Sequence, residues 1–272
     1  MRWFPNPKAY LCLIAPSIGL MKNPLRLEPV IDTIYKLVPS HSLQRIPESA
    51  DTRSLAETVA AAPAHFAARE ALANHYIEEG RLAEACQLRW EGAKLACDLL
   101  EESDDEFITL GWEDDYTAQV LSMVYDSAVD LFTIGDFEVA TAMWELLTDC
   151  DPEDHLNASE WMVFCYIALE EWELFDETVA LLPEEALSTR LAKYWAAFRR
   201  QTLPTAEIRQ AMKRETPTLY TEWRATEHEI TPEYLSDIES RRPTAAAEAR
   251  RLWLRTEALW REFPEFTVAL TE

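Results

Sequence analysis

Arg69-Glu70-Ala71-Leu72-Ala73-Asn74-His75-Tyr76 leads to Gly80-Arg81-Leu82-Ala83-Glu84-Ala85, and Val124-Tyr125-Asp126-Ser127-Ala128-Val129-Asp130-Leu131 leads to Gly135-Asp136-Phe137-Glu138-Val139-Ala140. Laid glycine on glycine, the two stretches place Ala73 on Ala128, Tyr76 on Leu131 and Ala85 on Ala140. Small residues recur where two helices must approach closely. A large apolar residue recurs one turn before the glycine that ends the first helix and permits a tight turn. This pattern predicts a helix-turn-helix unit, used at least twice. A third, degenerate copy follows 35 residues after the second, with Glu170-Glu171-Trp172 at the turn and Val163, Tyr166 and Phe175 at the packing positions.

Composition supports an all-α chain. Hydrophobic residues make up 48% of the 272, with 10 Trp, 10 Phe and 9 Tyr, enough to bury a core. Glycine occurs five times only, and alanine, leucine and glutamate, all strong helix formers, dominate. No run of alternating Val, Ile and Thr marks a strand. The unit and its spacing are those of the tetratricopeptide repeat, the 55 residues between Gly80 and Gly135 being one repeat plus an insertion. The expected architecture is a tetratricopeptide-like helical-hairpin solenoid with N- and C-terminal helical caps.

The layout follows. Residues 1–20 read as an apolar leader or as an upstream start, with Met21 the natural one; the apolar run Ala9–Leu20 is too short to span a bilayer. Residues 21–62 are an N-terminal helical segment, two short helices separated by Pro39 and Pro47, with Asp51 a candidate N-cap. Residues 63–189 carry the repeats, with an acidic insertion near 98–116. Residues 190–272 form a helical cap with helices over 194–199, 205–214 and about 245–263.

Charge is segregated. From Leu95 to Thr189 there is no lysine or arginine against 26 Asp and Glu, whereas the flanks are balanced, so this block accounts for the net charge of -24. It reads either as a solubilising coat or as a surface that attracts a basic protein or peptide within ~8 Å at physiological salt. Nucleic acid and anionic membrane are disfavoured, because phosphate contacts need Lys and Arg.

With the linker Ile108-Thr109-Leu110-Gly111-Trp112-Glu113, the turn Gly135–Ala140, Trp144-Glu145-Leu146-Leu147, Asp151-Pro152-Glu153-Asp154 and a tail of Thr216-Pro217, Pro232-Glu233-Tyr234, Ala247-Glu248-Ala249 and Leu259-Trp260, the chain resembles a family of bacterial tetratricopeptide proteins related to the suppression-of-tumorigenicity proteins of animals. The resemblance covers residues 65–263. It departs from the family's pattern in the missing tail glycine and the missing turn glycine of the third repeat. It implies a helical repeat array and brings no catalytic residues.

In such arrays the first helix of each repeat lines the concave face, here Glu70, Asn74 and Ile77, then Tyr125, Val129 and Phe132, then Glu160, Phe164 and Ile167, some of which are expected to be core instead, as an apolar stripe at helical spacing is more often buried. A clamp for C-terminal carboxylates needs lysine where Glu70 stands, so it is disfavoured. Trp112 with Asp114, Asp115 and Tyr116 reads either as an aromatic-acidic pocket for lysine or arginine or as a plug seating the insertion. The five cysteines are odd in number and lack a C-x-x-C pair, and the five histidines are isolated. Neither a disulfide framework nor a metal is expected, nor any cofactor, and reduced thiols suit the cytoplasm. No catalytic signature occurs. The leading reading is a non-enzymatic cytoplasmic scaffold for a basic partner. The alternatives are a homo-oligomer whose basic C-terminal helices (Arg199, Arg200, Arg241, Arg242, Arg250, Arg251) dock on another copy's acidic block, and an enzyme with a helical-array active site.

Overall fold

The computed structural model describes residues 23–31, 33–47, 49–101, 103 and 108–272. The leader or upstream start over residues 1–20, and most of the acidic run Glu102–Glu106, lie outside the described residues. The fold is mostly helical, with a small three-stranded sheet. The chain divides into two units: residues up to Leu131 with Val139–Ala158, and Phe132–Glu138 with Ser159–Glu272.

The small sheet departs from the all-α expectation and replaces the first of the two short helices expected over residues 24–62, while the second, behind Asp51, is present. Strands β1 (Leu25–Ile31) and β2 (Ile34–Pro39) form an antiparallel hairpin, and β3 (Thr109–Leu110) runs parallel to β2. Leu25 and Leu37 are buried while Arg26, Val30 and Ile31 are exposed, so the hairpin has an inner face and an outer tip. Pro29 is tolerated because β1 is an edge strand, and a register irregularity beside it further discourages pairing with another chain. Thr109 N–H donates to Thr33 O at 3.0 Å and Gly111 N–H to Tyr35 O at 2.8 Å, so the end of the acidic insertion completes the sheet.

In the first unit the helices are α1 (Thr52–Ala61), α2 (Phe66–Glu78), α3 (Leu82–Glu101), most of α4 (Asp115–Ile134) and α5 (Phe137–Cys150). Asp51 caps α1, accepting from Ser54 N–H at 2.8 Å, a hydrogen bond that lowers its pKa. Asp114 caps α4 by accepting from both the N–H and the hydroxyl of Thr117, and the same hydroxyl accepts Leu37 N–H at 2.9 Å. Leu55, Val59, Ala68, Leu72, Ala73, Ala85 and Leu88 form a core between α1, α2 and α3.

The second unit holds α6 (Ser159–Leu169), α7 (Trp172–Leu181), α8 (Leu187–Arg199), α9 (Thr205–Glu215), α10 (Pro217–Trp223), α11 (Pro232–Ile238), α12 (Ala245–Glu262) and α13 (Glu265–Thr271). Its core is aromatic: Trp260 meets Trp195 and Trp223 edge-on, with centroids 5.2 and 5.6 Å apart. Such pairs add about 0.5–1.5 kcal/mol each beyond their buried area. Thr231 and Thr244 cap α11 and α12.

Four turns share one construction. Gly80 and Gly135 have left-handed backbones, with φ of 74° and 89°, and so do Glu170 (62°) and Gln201 (54°). Behind three of them the next residue donates back across the turn: Arg81 to Tyr76 O, Glu171 to Tyr166 O and Thr202 to Ala197 O. That is the Schellman arrangement, which satisfies the last carbonyls of a helix. Ala73, Ala128 and Val163, and Ala85, Ala140 and Phe175, are all buried. The turn at Gln201, between α8 and α9, adds a fourth hairpin that sequence alignment missed, because Gln201 carries no glycine signal.

Candidate functional site

The exposed side of α2 and the neighbouring part of α4 bring three carboxylates, Glu70, Asp126 and Asp130, around one guanidinium, that of Arg89. Glu70 and Asn74 are exposed on α2, and Asp126, Val129 and Asp130 are half-buried on α4. Arg89 of α3 donates its Nε and Nη2 to the two carboxylate oxygens of Asp130, both at 2.7 Å. The guanidinium is thereby committed to Asp130 and acts on Asp126 only through its field. Burial raises the Asp126 pKa above the usual aspartate value; Arg89 works against the rise, while Asp130 and Glu70 add to it. Among the described residues no hydrogen bond to its carboxylate offsets that burial. Cys86 borders the group, and burial, with Asp130 next, pushes its thiol up to about 11, so it is a poor nucleophile.

Such a face repels anions and offers an under-compensated carboxylate to any cation that reaches it. Half-buried Tyr125, tilted on Trp144, adjoins Asp126 on the same helix.

The other sequence candidates separate. Phe132 and Phe164 are 0% and 1% exposed, so neither reaches a partner, a correction to their reading as groove residues. Phe132 packs edge-on against Trp161 and Phe137, and Phe164 lies against Trp195. The apolar stripe they belong to is core, as an apolar helical stripe commonly is. Glu160 is half-buried at the start of α6.

Trp112, Asp114, Asp115 and Tyr116 do not form one pocket. Asp114 is turned to Thr117 as a cap, and the Tyr116 hydroxyl donates to Ala64 O at 2.6 Å while its ring meets Phe66 edge-on. Asp115 is exposed. Trp112 instead stacks on His155, a partner that sequence reasoning did not foresee.

In the second unit several acidic residues pair with the chain's own cations. Arg199 pairs with Glu170 and Arg200 with Asp176, each at 2.8 Å, and Arg190 pairs with Glu185. Arg250 is taken by buried Glu222, which also receives His228 at 2.6 Å.

Among the described residues no group of three or more His, Cys, Asp or Glu is placed to hold a metal ion, and no helix is long and apolar enough to cross a membrane. A cleft of about 710 Å³ beside α1, lined in part by His41, Gln44, Ser54, Glu57 and Thr58, gathers no converging charges. Compared with protein-family models, curated proteins and solved structures, the chain matches none.

Proposed function

We propose that the chain is a non-enzymatic protein-interaction module of the cytoplasm, a tetratricopeptide-like helical array of the kind found in the bacterial family named above, and that it recognises a basic protein or peptide. The observation that carries this reading is Asp126. Among the described residues it is a half-buried carboxylate beside two others, without a hydrogen bond, and the cation acting on it, Arg89, is already bound to Asp130. An arginine or lysine from a partner relieves that repulsion, so binding energy comes from a frustration built into the free protein. Glu70 and Asn74 supply the exposed rim.

The test is calorimetric titration of an arginine- and lysine-rich peptide. Affinity falls at least tenfold between about 50 and 300 mM salt, as screening of exposed charges demands, and Asp126→Asn weakens it several-fold. Binding indifferent to both salt and Asp126→Asn defeats the reading.

A second reading takes the cation from another copy of the chain. Among the described residues Arg241, Arg242 and Arg251 form no ion pair, whereas Arg199, Arg200 and Arg250 do. Light scattering across ionic strength separates the two: a monomer at every salt concentration removes self-association.

A further inference from the structure

Trp112 and His155 lie in a parallel stack, with ring centroids 5.0 Å apart and planes within 5° of parallel. Asp151 Oδ1 is 2.7 Å from His155 Nδ1, and Asp151 Oδ2 accepts the His155 backbone N–H at 2.9 Å. Glu153 stands 3.5 Å from Nε2 on the other edge of the ring. Asp151 is itself buried, so its charge is aimed at the imidazole rather than lost to solvent. An indole face bordered by two carboxylates is the chemistry that holds a cation. Here the occupant is a side chain of the same protein, and it is exposed enough to leave.

We propose that this seat, made by Trp112, Asp151 and Glu153, is a binding site for the arginine or lysine side chain of a basic partner, and that protonated His155 fills it as an intramolecular stand-in. Loss of the His155 proton removes the charge from the stand-in, so that a cationic side chain displaces it. The assignment rests on the reading of the chain as a binder of basic partners, but it concerns a different surface from the Asp126 face.

The charged groups around His155 are uniformly acidic. Asp151, Glu153 and Asp154 act from its own loop, and Glu113, Asp114 and Asp115 flank Trp112 on the facing segment, Asp114 being turned to Thr117. The hydrogen bond to Asp151, ahead of the summed charges, holds the imidazole above its ordinary 6.5. A group raised in the folded state contributes stability that is complete below its unfolded value and is lost as pH rises through the folded one. The stand-in is therefore held most strongly below the raised value and more weakly as pH rises through it, when only one ring N–H remains to donate. A guanidinium keeps its charge throughout, so it replaces the imidazolium where the latter fails.

The experiment uses the full chain and N-acetyl-arginine amide as probe, read at the Trp112 indole N–H by NMR, with Trp112→Phe identifying the resonance. In the unmodified protein the resonance shifts saturably at pH 8.5, and at least tenfold more weakly at pH 5.5. His155→Ala binds at both pH values with no difference between them. A His155→Ala protein whose Trp112 resonance does not move at either pH overturns the site. The ring titration of His155 in the unmodified protein needs no variant: a midpoint at or below 6.5 overturns the gating. Binding of the basic peptide that depends on Asp126 and leaves Trp112 unmoved defeats this site alone. A Trp112 response combined with indifference to Asp126→Asn defeats the Asp126 reading alone.

Discussion

Arg89 grips Asp130 through both nitrogens of its fork, at 2.7 Å each, and so ties α3 to α4. The pair is mostly shielded from water, with side-chain exposures of 14% and 19%. Asp126, one helical turn earlier on α4, faces the same guanidinium but does not bond to it. Like charges four residues apart on a helix repel. The face is thus held together by one carboxylate and strained by another.

From this follows an exchange of stability against binding at Asp126. Its folded-state pKa is raised, so the folded protein holds the proton longer than the unfolded chain, and stability falls as pH climbs from the ordinary aspartate value through the raised one. Asp126→Asn removes the charge that folding disfavours. The variant is expected to melt higher than the parent at pH 7, to lose that advantage below about pH 4, and to bind the basic peptide more weakly. Thermal melts across pH, paired with calorimetry, measure both. A variant that is less stable at pH 7 refutes the electrostatic account.

Arg89→Met takes the cation away and leaves Asp126 and Asp130 facing each other. Removing one partner of a partly buried, charge-assisted bidentate pair costs about 2–3 kcal/mol. Adding Asp126→Asn to Arg89→Met is expected to return part of the loss, because the residual repulsion then disappears. Urea unfolding of the two single variants and the double variant gives the coupling energy. Strict additivity contradicts the proposed contact between the charges.

The turns give a test in both directions. Gly135 occupies its left-handed conformation without strain, whereas Gln201 pays for the same backbone with a Cβ. Gly135→Ala is expected to destabilise by about 1 kcal/mol, and Gln201→Gly to stabilise by a similar amount. Chemical denaturation of each variant checks the pair. Gly135 has nothing within 4 Å of an added Cβ, so a loss there reports backbone conformation rather than a clash.

The turn glycines were readable because the left-handed conformation is a local demand that residue type discloses. Glu170 was found only by its spacing from Gly135, and Gln201 not at all, since a left-handed residue that is not glycine leaves no mark in residue type. The hairpin of β1 and β2 was missed for a different reason. Each strand is six or seven residues long, Pro39 and Pro47 read as helix breaks, and the strand that completes the sheet, Thr109–Leu110, lies some 70 residues further along the chain. Glu70 and Asn74 stand exposed, as a helix-face alignment anticipates. Phe132 and Phe164 lie in the same alignment, yet the aromatic rings packed on them, Trp161 and Trp195, belong to other helices. No periodicity could announce that Trp112 meets His155 across 43 positions.

Gly92 is the close-approach glycine of this fold, and its role is steric rather than conformational. A Cβ added there would stand 2.4 Å from Met123 Sδ and 3.1 Å from Arg69 Cδ. Arg69 cannot yield easily: it is buried, its Nε donates to Pro63 O at 2.8 Å and its Nη1 to Leu88 O at 3.1 Å. Burial lowers its pKa, and Glu91 at 3.7 Å restores only part of the lost solvation. Met123 is the softer neighbour, so most of the adjustment falls on it. Gly92→Ala is expected to destabilise by about 1–3 kcal/mol, the usual cost of overpacking, despite the higher helix propensity of alanine. Met123→Ala in the same background makes room, and the double variant is expected to lose less than the two single losses added together. Urea unfolding of all three decides the matter: a Gly92→Ala protein as stable as the parent shows that helix propensity outweighs the contact.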